Sequence, residues 1–235
     1  MGYISREDFL KLQEERQARA DNPQTKGNGV GYFNLKDNGD EALVRFFYDE
    51  NRDYDILTVH DTKDKETGKF RRVNCLRTSF KESPSSCPFC AKGEKAQNRF
   101  YIKLLEYSKD ENGNTICTPK IWDRSTAYVA IIDSLCNEYG NIKDYLFKIK
   151  RVGAKGSKDT QYPITLANPQ IYNTVNYPIK EDAFDGYSVL GSAVLDKSFD
   201  EMCELAGVVS MPTESTTVEV PFTEQTSKPR TVSYH

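Results

Sequence analysis

Histidine is scarce in this 235-residue chain: there are two, and one of them is the last residue. A catalytic pair built on histidine is therefore hardly available, and a zinc deaminase is excluded because His60 is followed by Asp61 and Thr62 rather than by the His-x-Glu that such chemistry needs. Long apolar runs are missing as well. No stretch approaches the roughly 18 apolar residues of a membrane-spanning helix. The first twenty residues, MGYISREDFLKLQEERQARA, carry charge throughout and lack an apolar secretory core, and MGYISR lacks the Ser or Thr of an acylation motif. The expectation is a cytoplasmic protein without a membrane partner and without enzymatic activity.

An overall excess of basic charge is also lacking, since the formal net charge is −3. That mean conceals a gradient. Residues 1–25 sum to −1, residues 26–180 to +5 and residues 181–235 to −7. A cationic centre followed by an acidic segment is a pattern of polyanion-binding proteins that restrain their own binding.

Ser5 to Ala20 reads as a helix ended by Asp21-Asn22-Pro23, with too few apolar residues to form a core face, so residues 1–29 are expected to be a helical arm. From Gly31 the period becomes that of strands. Two β-rich runs around Asp37-Asn38-Gly39-Asp40 suggest a hairpin, whose alternation puts Leu43, Arg45 and Phe47 on one face and Val44 and Phe46 on the other. Runs 54–59 and 70–76 suggest a second hairpin, and runs 99–107 and 116–121 a third across DENGN. Ser125 to Tyr139 has helical apolar spacing and stops at Gly140; strands at 145–152 and 162–166 follow, then a short helix near 196–206. Short strands, polar turns and one marked internal helix predict a mainly β (α+β) chain, an OB-type Greek-key barrel over residues 30–180 with a zinc subdomain at about 60–95 and an acidic C-terminal segment at 181–235. A sandwich is the alternative.

Six cysteines are present, and three of them share a 31-residue window with a histidine, in the order His60, Cys75, Cys87, Cys90. The two-residue spacer of SSCPFC lets both thiolates reach one ion from a tight turn. Three thiolates and one imidazole make a closed structural zinc site. The alternatives are a redox Cys-x-x-Cys pair or a chance cluster. Cys117, Cys136 and Cys203 lie outside the group and read as reduced core residues.

Between Lys63 and Lys81 stand seven basic residues, among them Arg71, Arg72 and Arg77, against two acids. Segment 148–158 adds Lys148, Lys150 and Arg151 with no acid. Aromatic residues Phe47, Phe100, Tyr101 and Tyr162 stand around them, Phe47 sharing a strand face with Arg45 and Tyr101 with Lys103. Cations that track phosphates and rings that stack bases are the two components of single-strand binding. In the alternative reading the charges form a solvated face and the rings form the core.

ALVRFF (42–47), the ordered ligands ending in SCPFC, the strand FYIKLLEY, KIWDRS (120–125) leading into a helix, and LFKIKRVG occur in an order that resembles the zinc-containing single-stranded-DNA-binding proteins of T-even bacteriophages, over roughly residues 30–170. The resemblance implies an OB-fold core with one structural zinc held by His60, Cys75, Cys87 and Cys90. It also implies a role in coating unwound DNA during phage replication, recombination and repair in the host cytoplasm. By position it implies that Arg45 contacts phosphate and that Phe100 and Tyr101 sit at the binding cleft; Lys120 is a further candidate contact. Self-association along DNA and contacts with phage replication and recombination proteins would follow, although the family's basic N-terminal motif and long acidic Ser-rich tail have no counterpart here. Two alternative classes are a zinc-stabilised protein-interaction module and an RNA-binding regulator.

Overall fold

The computed structural model describes residues 29–63 and 68–208; the expected N-terminal arm and the end of the acidic segment lie outside them. The chain is mainly β. Its strands are β1 (Gly31–Tyr32), β2 (Glu41–Phe46), β3 (Asp55–Lys63), β4 (Phe70–Asn74), β5 (Gln97–Lys109), β6 (Thr115–Ser125), β7 (Phe147–Lys150) and β8 (Ile164–Leu166). Its helices are α1 (Pro88–Ala91), α2 (Ala127–Tyr139) and α3 (Phe199–Ala206), beside short single turns. None of the described helices is long and apolar enough to cross a membrane.

All eight strands form one mixed sheet in the order β1-β6-β5-β2-β7-β8, with β3 paired to both β4 and β5. The 13-residue β5 organises it. One edge of β5 is paired with β6 from Arg99↔Ser125 to Lys109↔Thr115, while its other edge is divided, residues 97–101 going to β3 and residues 104–107 to β2. The sheet is not closed into a barrel, which corrects the expected barrel. Its end strands, β1 with two residues and β8 with three, are short, lie at opposite edges and do not pair.

The hairpins at 54–76 and 97–125 form as the alternation predicts. Asp110 closes the second, its Oδ1 accepting from the backbone N–H of Asn112 at 2.9 Å and Asn114 at 2.7 Å while Gly113 takes φ 81°. The hairpin expected at Asp37–Asp40 does not form. The turn is there, with Asp40 Oδ2 accepting from the N–H of Lys36 and Asp37, but β1 runs parallel to β6 and β2 pairs with β5 and β7. Phe33 and Leu35 turn into the core, Phe33 meeting Trp122 edge-on at 5.5 Å while its N–H still donates to the Ile121 carbonyl at 2.8 Å, and that burial outweighs the hydrogen bonds of a β1–β2 hairpin.

Both faces of the sheet are covered. On one, Val44, Phe46, Phe100, Ile102, Leu104 and Trp122 pack under Ile132 and Cys136 of α2. That helix ends where Gly140, at φ 71°, donates its N–H to the Cys136 carbonyl. On the other face, Tyr101, Leu105, Tyr107 and Ile121 lie beneath Ala183, Phe184, Val189 and Val194. Residues 181–208 therefore dock as structure. Leu195 is tied to β4 by bonds from its N–H to the Arg72 carbonyl (2.8 Å) and from the Asn74 N–H to its own carbonyl (3.0 Å), and α3 sets Met202 and Ala206 against Val73, Cys87 and Phe89.

Candidate metal centre and the cationic surface beside it

His60 lies on β3 and Cys75 just beyond β4, so the antiparallel hairpin brings them together; the Cys75 N–H donates to the Thr58 carbonyl at 2.8 Å. Cys87 is the N-cap of α1, whose first residue is Pro88, and this one-turn helix swings Cys90 back toward Cys87. The four side chains each offer a ligand atom, all within 4.8 Å of one another, and could hold a metal ion. The Cys75 and Cys90 sulfurs are 3.7 Å apart, far beyond the ~2.05 Å of a disulfide. His60 Nε2 stands 3.5 Å from the Cys87 sulfur and 3.4 Å from that of Cys90.

The surroundings act on the ligands in opposite directions. Burial holds the His60 imidazole below its ordinary range, so it is neutral near pH 7, as a ligand must be. Phe89 stacks on it at 5.2 Å. Burial also pushes the Cys75 thiol up, to about 12. Arg77 Nη1 lies 3.8 Å from the Cys90 sulfur, while its Nη2 donates to the Phe80 and Glu82 carbonyls, so one guanidinium ties loop 78–82 to the cluster. Cys117, Cys136 and Cys203 are free thiols, the last two buried.

The expected nucleic-acid contacts fall into three groups. Arg45, Phe100 and Tyr101 are core residues, with 1%, 0% and 0% of their surface exposed, which corrects their expected place at a cleft. Arg45 Nη1 donates to the Lys143 carbonyl at 2.5 Å and Nη2 to that of Tyr177 at 3.0 Å. Arg151 is buried too, donating to Tyr162 Oη at 2.6 Å and to the Leu35 carbonyl. Phe47 is half-buried against Phe184. A second group is paired within the chain: Arg72 with Asp61 and Asp123, Lys103 with Asp55, Lys120 with Glu106 and Lys148 with Glu41. Arg71 and Lys150 are exposed and have no ion pair among the described residues. The sequence shows charges but not their partners, because each carboxylate comes from another strand: Asp61 directly across a ladder, Asp55, Glu106 and Glu41 diagonally across one, and Asp123 from a strand that β4 does not pair with.

Three exposed rings were not singled out from the sequence: Tyr32, Phe70 and Phe80, at 54%, 58% and 56% exposure. Arg72 lies over the Phe70 ring at 5.5 Å and Arg77 over that of Phe80 at 5.7 Å. Tyr32 pairs with Ile121 on β6, two residues from the Asp123 that Arg72 reaches, so Tyr32 and Arg72 flank one strip of the sheet. The Tyr32 ring is open, but its hydroxyl donates to the Ala193 carbonyl and is desolvated there, which raises the phenol, with Arg72 and Arg71 acting against the rise. A cleft of about 200 Å³ adjoins it, lined by Gly31, Tyr32, Ile121, Tyr187 and residues 191–193. The one available sequence signal was Phe70-Arg71-Arg72, a ring next to two cations at a strand start. No family model matches this chain, and no curated protein matches it.

Proposed function

We propose that this chain is a zinc-stabilised single-stranded-DNA-binding protein that acts by coating a strand rather than by catalysis. A tetrahedral zinc ion with Zn–S of about 2.3 Å and Zn–N of about 2.0 Å calls for S···S separations of about 3.8 Å and S···N separations of about 3.5 Å. The observed 3.7, 3.5 and 3.4 Å, three of the six separations, are compatible with a tetrahedral ion of that size. Four protein ligands leave no position for water, so the zinc would be structural and would fix the hairpin that carries Phe70, Arg71 and Arg72.

The observation that carries the strand-binding reading is the exposed pair of rings, Tyr32 and Phe70, flanking Arg71 and Arg72. Rings offer stacking surfaces that tolerate any base, and Arg71, exposed and without an ion pair among the described residues, supplies the phosphate attraction, while Arg72 is held by Asp61 and Asp123. The +5 charge of residues 26–180 acts in the same sense. The order of motifs that resembles the T-even phage proteins extends the proposal to phage replication, recombination and repair.

Titration of the full chain with oligo(dT) at two salt concentrations tests this. Salt-sensitive binding at micromolar strength or tighter is expected, and competition with matched RNA separates a DNA from an RNA preference. Absence of such binding would leave the zinc-stabilised protein-interaction module as the reading.

A further inference from the structure

On the sheet face beneath α2, away from the metal hairpin, one guanidinium is held almost entirely by aromatic rings. The Arg124 guanidinium carbon lies 4.0 Å from the ring centre of Tyr162, 4.4 Å from that of Trp122 and 5.7 Å from that of Tyr128. Arg151 approaches the same Tyr162 ring at 5.7 Å and takes its hydroxyl with Nη1. Among the described residues neither arginine has a carboxylate partner.

The terminal nitrogens of Arg151 are met by neutral acceptors only, the Leu35 and Ala154 carbonyls and the Tyr162 and Thr160 hydroxyls. The Nε of Arg124, the Nε of Arg151 and the indole Nε1 of Trp122 are all buried without a hydrogen-bond partner, and Trp122 and Arg151 are 1% and 9% exposed. Burial and, to a lesser degree, the like charge of Arg151 work against the Arg124 cation, while a hydrogen bond to Tyr162 and the Tyr162 and Tyr128 phenol groups act the other way. α2 begins three residues after Arg124 with neither a side-chain cap nor an acid in its first turn, so its positive end adds to the same sign of field. Three buried donors without an acceptor and two full charges without a carboxylate among the described residues leave an opposite charge uncompensated here. Stacking also keeps the planar fork of Arg124 pre-oriented, which is what bidentate recognition of an oxyanion needs.

We propose that Arg124, held by Trp122, Tyr128 and Tyr162 and backed by Arg151, is the anchor of an anion site for a phosphate-class oxyanion. The site is separate from the Tyr32–Phe70 surface and does not require that surface to bind a strand. Arg124 is partly exposed, so the site can be reached from solvent at this residue.

Trp122 is the single tryptophan of the chain, which gives the site its own reporter. Indole emission of the full-length protein is followed while inorganic phosphate or pyrophosphate is added, against sodium chloride at matched ionic strength. A saturable change with phosphate or pyrophosphate and none with chloride is expected. Arg124→Gln should weaken that response at least about tenfold, the loss expected for a charge-assisted contact, with the thermal midpoint retained. Arg124→Lys, which keeps the charge but not the fork, should fall between them and serves as the decisive variant if the glutamine protein does not fold. No saturable response in the wild type, or an equal response in a folded Arg124 variant, overturns the proposal. An oligo(dT) arm assigns the source: affinity lost with Arg124→Gln places a strand phosphodiester in the site, whereas affinity unchanged while the phosphate response disappears assigns a free phosphate ester. Failure of strand binding as such is read from Tyr32 and Phe70 variants and leaves the phosphate result standing.

Discussion

Arg45 and Tyr107 are joined inside the core, diagonally across the β2–β5 ladder and two residues off register: Arg45 Nε donates to Tyr107 Oη at 3.1 Å, and that hydroxyl donates to the Pro178 carbonyl at 2.9 Å. With two further donations to the Lys143 and Tyr177 carbonyls, one guanidinium fastens strand, 3₁₀ turn and C-terminal cover together. Burial pushes the Tyr107 phenol up to about 12 despite the neighbouring cation, so the hydroxyl stays a donor across the working range.

Arg45→Ala should therefore act on stability before it acts on any ligand. Truncation leaves the Lys143 and Tyr177 carbonyls and the Tyr107 hydroxyl without their donor, at a cost of about 3 to 5 kcal/mol. Urea unfolding measures it. A variant within about 0.5 kcal/mol of wild type, in the range of surface substitutions, would show that the network carries no stability.

Arg45 also marks where the sequence stops being legible. The alternation of 41–47 placed it correctly on one face with Leu43 and Phe47, yet that face is covered by residues 177–194, a cover that no local period announces. Phe100 and Tyr101 were misplaced for a related reason. A strand that reads polar on one side is assigned a wet face, but β5 is buried on both, so adjacent residues of opposite parity are equally hidden. The metal ligands were legible because Cys-x-x-Cys fixes their separation within a single helical turn, whatever the rest of the chain does. The hairpins at 54–76 and 97–125 were legible because turn chemistry is local; the Asp37–Asp40 turn was legible too, but its strands chose partners by burial.

The purified chain should hold one zinc ion. Cys87→Ser should weaken it by more than about 100-fold, and Arg77→Gln by about 10-fold, the scale typical of groups that hydrogen-bond to a ligand rather than bind the metal. Ligands must be deprotonated to bind. The Cys75 thiol, pushed up to about 12 by burial, must then release a proton on uptake, whereas His60, already held neutral, releases none near pH 7. Apparent affinity should rise with pH, and calorimetry in two buffers of different ionisation enthalpy counts the protons. Uptake with no proton release would contradict the assignment.

On the proposed strand surface, Tyr32→Ala and Phe70→Ala should each lower oligo(dT) affinity by about 1 to 3 kcal/mol if a base stacks there. Arg71→Ala should make the salt dependence shallower by about one unit of slope. Tyr101→Ala is the contrast, since loss of a buried ring costs about 3 to 5 kcal/mol of stability. If Tyr32 and Phe70 variants bind like wild type, the strand lies elsewhere.

The capping box of α3 gives a pH signature. Ser198 Oγ accepts from the Glu201 N–H while Glu201 Oε2 accepts from that of Ser198, and Lys197 Nζ lies 2.7 Å from Oε1. Burial works against the Glu201 carboxylate, but Lys197 and the Ser198 donors outweigh it and hold the group near 2. A folded value below the unfolded one, about 4.3, means the stabilisation is complete above pH 5 and is lost as pH falls toward 2. Because the group is partly exposed, screening limits its worth to about 0.5 to 1 kcal/mol. Glu201→Gln should destabilise by that amount at pH 7 and by nearly nothing at pH 2; a difference independent of pH would remove the carboxylate from the account.

The acidic segment after Lys180 yields the last prediction. Its charge, set beside the +5 centre, suggests a strand competitor, but Phe184, Val189, Val194 and Met202 are buried and Tyr32 Oη donates to the Ala193 carbonyl. At about 2 kcal/mol for each of those four side chains, removing them costs about 8 kcal/mol, comparable to the whole stability of a domain. A chain ending at Lys180 should therefore lose its cooperative thermal transition rather than bind DNA more tightly. Retention of that transition would refute the structural role. The electrostatic role is separable by a variant that keeps the cover: Glu181→Gln with Asp182→Asn alters two exposed acids, of which Glu181 pairs with Lys143 at 2.8 Å. If these acids compete with a strand for the cations, the double variant should bind oligo(dT) more tightly at low salt, with the gain fading as salt rises. Equal affinity at all salt concentrations in a stable variant assigns these two acids no part in restraining binding.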